Sequence, residues 1–230
     1  MIYTTVAVRG TEQLIRLPMS SAEALALNYA PLKWQAKYAS LFALEAQMRR
    51  FVINSREQML TRIKLAWWRE HLDPATFHDA GRDPLLSLLR QEWANEIGAV
   101  IDLIDGYENL LFQPPNIPEH LHAFADLVSA AFAQLVRSVD GERYVGSVKD
   151  VALVWSIGWL NEEGWLRASE PRIRAIAQAA AGRVPRLPRT LRPFSVLFAL
   201  ARAAIRVDGA PLVSGRASVA VALRAGLLGR

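Results

Sequence analysis

Apolar residues recur every three or four positions along most of the chain, which is the spacing of an amphipathic α-helix. The clearest pattern runs over residues 32–54. Five apolar residues there predict one buried stripe: Trp34, Tyr38, Leu41, Met48 and Val52. No segment alternates polar and apolar residues convincingly, so no strand is predicted. The pattern therefore indicates an almost entirely helical protein.

Start and stop signals divide this pattern into separate helices. Ser20 and Glu23 have the spacing of a capping box, and Asp83-Pro84 places proline in the first turn of a helix. Further helices are predicted at residues 56–72, 95–112, 118–139, 147–166, 171–181, 194–207 and 217–228. A loop is predicted over residues 74–83 and a break at residues 140–141. Together these signals predict one all-α domain over residues 1–230, built as a single helical bundle.

The composition excludes several classes of protein. With 230 residues, 52% of them hydrophobic, the chain can bury a sizeable core and is too apolar to be disordered. Cys is absent and the four His residues lack metal-ligand spacing, so no metal site is predicted. The central apolar run, residues 151–160, is shorter than the roughly 20 residues of a membrane span. Without a signal-peptide pattern, we expect a cytoplasmic protein, at most peripheral on the inner membrane.

The formal net charge of +5 hides an uneven distribution. Residues 167–230 contain 12 Arg or Lys residues and two acids, a net charge of +10, which leaves −5 for residues 1–166. This basic, Pro- and Arg-rich segment is predicted to bind an anionic membrane surface or an acidic protein partner, or to pack against the acidic bundle. Nucleic acid is not predicted, because no aromatic residues are interleaved with the arginines and no nucleic-acid-binding motif occurs.

Three segments carry a more specific pattern: LFAL at residues 41–44, IKLAWWREHL at 63–72 and IDLIDGYE at 101–108. They resemble the LYAF, IRLxWWRxxL and LIDG helices of the squalene/phytoene synthase family. The resemblance implies a helical bundle of the isoprenoid synthase type. It also implies an enzyme that condenses two prenyl diphosphates, using Mg²⁺ held by two Asp-rich motifs.

The chain differs from the family at the positions where the Mg²⁺-binding acids are expected. The first Asp-rich motif falls on Arg49, Arg50 and Ile53, and an arginine cannot bind Mg²⁺. The helix expected to carry the second motif, residues 147–166, has no pair of acids four residues apart. This pattern resembles a divergent branch of the family that includes a mitochondrial factor for assembly of respiratory complex I. No catalytic residue and no cofactor are therefore predicted, with Mg²⁺ kept only for the prenyltransferase alternative.

Glu45 is the most unusual candidate for ligand binding, because it interrupts the apolar stripe of residues 32–54. A buried carboxylate must be paired or protonated. Arg49, one turn further on, is a possible partner, and Arg62 on the next helix is another. Glu45 and Arg49 therefore form either a structural ion pair or part of a ligand site.

The other candidates lie on the next helices. Arg62 and Arg69 share a helix face that suits a diphosphate or an anionic headgroup, with solvated charges as the alternative. Asp102 and Asp105 are either substitute metal ligands or a solvated face. Trp68 is either a core residue or part of an aromatic cavity for isoprenoid cations. The neighbouring Trp67 forms a stripe with two other apolar residues, Met59 and Ile63, for which the core is favoured.

Three functions remain open at this point. The first is a non-catalytic squalene/phytoene synthase-like protein that acts as an assembly or scaffolding factor at a membrane surface. The second is a prenyltransferase of isoprenoid biosynthesis. The third is a non-catalytic carrier with a prenyl or lipid ligand. The loss of both acid pairs favours the first or the third.

Overall fold

The computed structural model describes residues 2–7, 14–74, 83–139 and 141–229. Within that part the protein is mostly helical, as predicted, with ten α-helices and one two-stranded hairpin. The strands are β1 (Ile2–Ala7) and β2 (Leu14–Met19). The helices are α1 (Ser21–Leu27), α2 (Gln35–Ile53), α3 (Gln58–Leu72), α4 (Pro84–Trp93), α5 (Ile97–Asn109), α6 (Pro118–Ser138), α7 (Val145–Glu162), α8 (Pro171–Arg183), α9 (Arg192–Ala204) and α10 (Gly215–Leu228). The predicted loop at 74–83 and break at 140–141 lie mostly outside the described residues.

The hairpin corrects the prediction that the chain has no strand. β1 and β2 pair antiparallel, with Ile2 opposite Met19. Along β2, Ile15, Leu17 and Met19 are buried and the intervening Arg16 is exposed, which is the alternation of a half-buried strand. Three alternating residues are too few to stand out beside the long helical periodicity of the neighbouring segments.

Capping side chains lie at the starts of α1 and α4, where the sequence predicts them. The Ser20 hydroxyl accepts the Glu23 amide at 3.3 Å, and the Glu23 carboxylate accepts the Ser20 amide at 2.7 Å, so the predicted capping box is present. The Asp83 carboxylate accepts the amides of Leu85 and Leu86 at the start of α4. These bonds satisfy backbone donors that a helix cannot pair internally.

Helices α2 and α7 form the centre of the bundle. Both are buried on almost every side, so the single stripe predicted for α2 is too narrow a description. Helices α1, α3, α4 and α5 and strand β2 pack around α2, whereas α6, α8 and α9 pack around α7. The hydrophobic core is continuous from β2 to α10.

Helix α3 faces the core with a different stripe from the one predicted. Its buried side is formed by four residues: Thr61, Leu65, Trp68 and Leu72. The stripe of Met59, Ile63 and Trp67, predicted to lie in the core, is instead exposed, at 64%, 57% and 41%. The correct core face also has helical spacing, and it lies one to two residues further along the chain.

The last three helices, α8 to α10, form what we call the C-terminal layer. Helix α8 packs on α7, α9 packs on α7 and α1, and α10 packs on α9. At the closest point, a Cβ atom added to Gly158 of α7 would lie 2.7 Å from the Ala201 Cβ of α9. None of the helices in the described ranges combines the length and apolarity needed to cross a membrane.

We expect Gly158→Ala to lower the free energy of unfolding by about 2 kcal/mol, because the added methyl group overpacks the α7–α9 contact. Gly146, on the same helix, is the matched control, since an added Cβ would have no described atom within 4 Å apart from its own helix backbone and chain neighbours. Gly146→Ala should leave stability unchanged or raise it by up to about 1 kcal/mol. Chemical denaturation measures both, and equal effects of the two substitutions would contradict the packing described here.

Candidate functional site

Glu45 lies fully buried in the centre of the bundle, where α2, α5 and α7 meet. Its Oε1 atom accepts two hydrogen bonds, from the indole of Trp155 at 2.7 Å and from the hydroxyl of Tyr107 at 3.1 Å. Its Oε2 atom receives no hydrogen bond from any residue that the structure describes. The sequence therefore identified Glu45 correctly as an unusual buried carboxylate, but its partners are aromatic donors.

Arg49 forms its ion pair with Glu23 of α1, at 2.8 Å, and both side chains are buried. The prediction that Arg49 or Arg62 pairs directly with Glu45 is therefore wrong, although Arg49 lies close enough to act on its charge. The Arg49 guanidinium also lies over the rings of Trp155 and Trp159, 5.5 and 5.6 Å from their centroids. Aromatic faces of this kind stabilise a buried cation.

The two carboxyl groups and the guanidinium form what we call the central charge cluster: Glu23, Glu45 and Arg49. Burial, and then the charge of Glu23, raises the pKa of Glu45 to about 8, although Arg49 opposes the shift. A protonated Glu45 can donate its proton to the Glu23 carboxylate from the otherwise unpaired Oε2. Burial lowers the pKa of Arg49, but Glu23 and Glu45 outweigh it, and the net shift is upward. At neutral pH the cluster therefore contains one negative and one positive charge.

Arg62 and Arg69 lie on the surface and bind acids of α5. Arg69 contacts Asp105 at 2.6 Å and Glu108 at 2.5 Å, and Arg62 contacts Glu108 at 3.1 Å. Arg62 and Arg69, both candidates for ligand binding, are therefore neutralised across the α3–α5 contact, and one of their partners, Asp105, is itself a candidate. This arrangement joins two helices and leaves little positive charge for a diphosphate.

The remaining two candidates lie apart from the central charge cluster. Trp68 is 4% exposed and packs into the core, in agreement with the core alternative. Asp102 is exposed on α5, and partial burial together with the charge of Asp105 raises its pKa. Neither residue contacts Glu45 or Arg49 in the described structure.

The residues present do not fit the Mg²⁺ site that the resemblance implies. Arg49 is held by an ion pair at one position of the first Asp-rich motif. Asp105 and Glu108, the nearest group of acids on α5, are bound to Arg69. Among the described residues, no three His, Cys, Asp or Glu side chains come together as metal ligands.

The arginines of the C-terminal layer and its connections present a second candidate site, on the surface. Among the described residues of this segment, one arginine forms an ion pair: Arg183 binds Asp150 of α7, with Nε 3.0 Å from Oδ2. The two acids of the segment are engaged in local structure, since Glu170 caps α8 and Asp208 accepts hydrogen bonds from Ser169. Of the predicted alternatives, packing against the acidic bundle therefore holds for Arg183. Most of the other arginines face solvent.

Sequence reasoning missed four members of the buried site: Glu23, Tyr107, Trp155 and Trp159. Glu23 was identified only as a capping residue, and its contact with Arg49 joins positions 26 residues apart, which no local spacing encodes. Trp155 and Trp159 are four residues apart in an apolar run, a spacing that places both on one face of α7.

Compared with known protein families, curated proteins and solved structures, the chain has no match in any of the three.

We expect the stability of the protein to fall as pH rises from about 5 to about 8, and Glu45→Gln to remove much of this slope. With a pKa of about 8 in the folded protein and 4.5 as the ordinary value, folded Glu45 keeps a proton that the unfolded chain releases in this window. Raising the pH therefore favours unfolding until the folded pKa is passed. Glutamine is permanently neutral and has nearly the same size and shape as glutamate. Denaturation of both proteins at several pH values measures the difference.

Glu57→Gln is the matched control, because Glu57 is exposed at the start of α3. Its unfolding free energy should follow that of the unaltered protein at every pH. The Glu45→Gln variant should be close to the unaltered protein at pH 4, where Glu45 is mostly protonated in both the folded and the unfolded state, and more stable than it at pH 9. Parallel curves for the variant and the unaltered protein would show that Glu45 is already ionised in the folded state.

Proposed function

We propose that the protein is a non-catalytic squalene/phytoene synthase-like protein, with a bundle of the isoprenoid synthase type, that acts as an assembly or scaffolding factor on an anionic membrane surface. The observation that carries the proposal is the outer face of the C-terminal layer, which combines solvent-facing arginines with exposed apolar side chains. The segment's own acids do not neutralise these arginines, so the face is suited to an external anionic partner.

The central charge cluster supports the non-catalytic part of the proposal. A prenyltransferase would need carboxylates free to bridge Mg²⁺ and a diphosphate. In this chain Glu23 is bound to Arg49, and Glu45 accepts hydrogen bonds from two aromatic side chains. Bringing a dianionic diphosphate and its metal to this place would require both carboxyl groups to lose their partners.

Helix α10 supports membrane docking. Three apolar residues at i, i+4 and i+8 form an exposed ridge on one face: Val219, Leu223 and Leu227. Two exposed arginines, Arg216 and Arg224, lie on the same helix and next to this ridge in sequence. A basic helix with an apolar face binds an anionic membrane surface, where each arginine contributes about 1 kcal/mol.

An assembly or scaffolding factor also needs a surface for a client protein, and helix α3 supports this part of the proposal. Its exposed apolar residues, Met59, Leu60, Ile63 and Trp67, stand beside the ion pairs that join α3 to α5. Apolar residues surrounded by charged side chains are typical of protein-binding surfaces. Helix α3 packs on α2, α4 and α5 and has no substantial contact with the C-terminal layer. The two surfaces can therefore be occupied together.

We expect no release of pyrophosphate when the purified protein is incubated with farnesyl or geranylgeranyl diphosphate and Mg²⁺. The physical reason is that the positions expected to bind the metal hold an arginine in a buried ion pair. A coupled pyrophosphate assay measures the release, with an active prenyltransferase as the positive control and circular dichroism to verify folding. Release above the enzyme-free rate would favour the prenyltransferase alternative.

We expect the protein to sediment with vesicles that contain an anionic lipid and not with vesicles of phosphatidylcholine alone. Leu223→Ser should weaken this binding by about tenfold, because the leucine leaves water when the helix docks. Leu60→Ser on α3 is the matched control, since Leu60 is 53% exposed and Leu223 is 49% exposed. Equal binding to both types of vesicle, or an equal loss in both variants, would rule out the C-terminal layer as the membrane-binding face.

A further inference from the structure

A groove of about 590 Å³ crosses the C-terminal layer between the α8–α9 connection and α10. Four arginines line it: Arg186, Arg202, Arg206 and Arg224. No carboxylate lines the groove in the part of the chain that the structure describes, and none of these arginines forms an ion pair there. Four cations facing one concave surface repel each other, so an anion in the groove would be strongly favoured.

A buried polar residue lies in the wall of the groove. Ser195, in the first turn of α9, lines the groove although the residue is only 3% exposed. Its hydroxyl oxygen has no hydrogen-bond partner among the described residues. Leaving such a group buried and unpaired costs free energy, which a ligand with acceptor oxygens recovers. Ser195 therefore marks a specific position in the groove, in addition to the general attraction of the arginines.

Arg192, also in the first turn of α9, lies against the wall of the groove. The residue is 7% exposed, and its Nε and Nη1 atoms have no hydrogen-bond partner within the described residues. Its guanidinium touches Gly229, which lines the groove, so closely that a methyl group at Gly229 would overlap it. Burial, followed by the charges of Arg186 and Arg189, lowers the pKa of Arg192. A neighbouring anion would compensate this buried charge.

The chemistry of the groove favours a phosphate monoester over a carboxylate. A monoester carries up to two negative charges and three terminal oxygens, which match several guanidinium forks and one hydroxyl. The helix dipole of α9 adds positive potential at its first turn. Phe198 and Val221 line the groove next to these donors, and they provide an apolar wall for the carbon chain of the ester.

We propose that this groove is a binding site for a phosphate monoester, with the Ser195 hydroxyl as a direct donor and the four lining arginines as its charge complement. The ester is supplied either by the headgroup of an anionic lipid or by a soluble metabolite. The lipid source rests on the proposed function and deepens it, because it makes membrane docking selective for one headgroup class. The soluble source is independent of membrane docking.

Vesicle co-sedimentation of the full chain tests the lipid source. One set of vesicles contains phosphatidic acid, a monoester, and the other contains phosphatidylglycerol, a diester, at equal surface charge in phosphatidylcholine. We expect roughly tenfold tighter binding to phosphatidic acid, the effect of one hydrogen bond to a charged group. Ser195→Ala should remove most of this preference and leave the binding to phosphatidylglycerol unchanged.

Ser156→Ala is the matched control, because Ser156 of α7 also buries an unpaired hydroxyl but lies outside the groove. A second variant, Arg224→Gln, changes an exposed residue and so avoids the risk of misfolding. It should weaken binding to phosphatidic acid, whereas Arg56→Gln on the α2–α3 connection should have a smaller effect. Circular dichroism verifies that all four variants are folded.

Calorimetry with glycerol 3-phosphate tests the soluble source. In one outcome glycerol 3-phosphate binds, Ser195→Ala abolishes this binding, and the protein does not sediment with any vesicle. This outcome supports the groove site and contradicts membrane docking. Equal binding to both anionic vesicles, unaffected by Ser195→Ala and without binding of glycerol 3-phosphate, overturns the monoester site and leaves membrane docking intact. Loss of preference in both serine variants also overturns the role of Ser195.

Discussion

Burying the guanidinium of Arg49 at the centre of a helical bundle requires a carboxylate beside it, since an unpaired charge in the core costs more than the fold can supply. Glu23 provides that carboxylate, and the capping box at the start of α1 fixes its position. Glu45 adds a second acid that binds Tyr107 of α5 and Trp155 of α7. Four helices, α1, α2, α5 and α7, therefore meet around the charge of Arg49, and their packing depends on the neutralisation of that charge.

The central charge cluster also shows how the charge of Arg49 is balanced at the centre of the bundle. In this chain the cation is covalently part of the protein, as Arg49, and one of the two acids retains a proton. The cluster is electrically balanced without any ligand. Arg49 therefore stabilises the packing of the helices that carry these two acids.

Local patterns in the sequence predicted the helices, the caps and the unusual character of Glu45. They failed where a long-range contact decides the outcome. The pairing of Glu23 with Arg49 depends on how α1 and α2 pack, which helical spacing does not encode. Helix α3 has two apolar stripes at helical spacing, one through Trp67 and one through Trp68, and spacing alone cannot say which faces the core. The mostly helical character was therefore accessible from sequence, and the assignment of faces and partners was not.

The uneven distribution of charge along the chain also depends on which side chains form ion pairs in the folded protein. Several acids of the bundle are engaged in ion pairs: Glu108 binds two arginines of α3, Glu96 binds Lys37 of α2, and Asp150 binds one arginine of the C-terminal layer. Among the described residues, one arginine of the layer, Arg183, forms an ion pair with an acid of the bundle. The layer nevertheless packs on α7 through apolar contacts, which hold its cations close together at the surface. The positive potential of that face persists until an anion from outside the chain is bound.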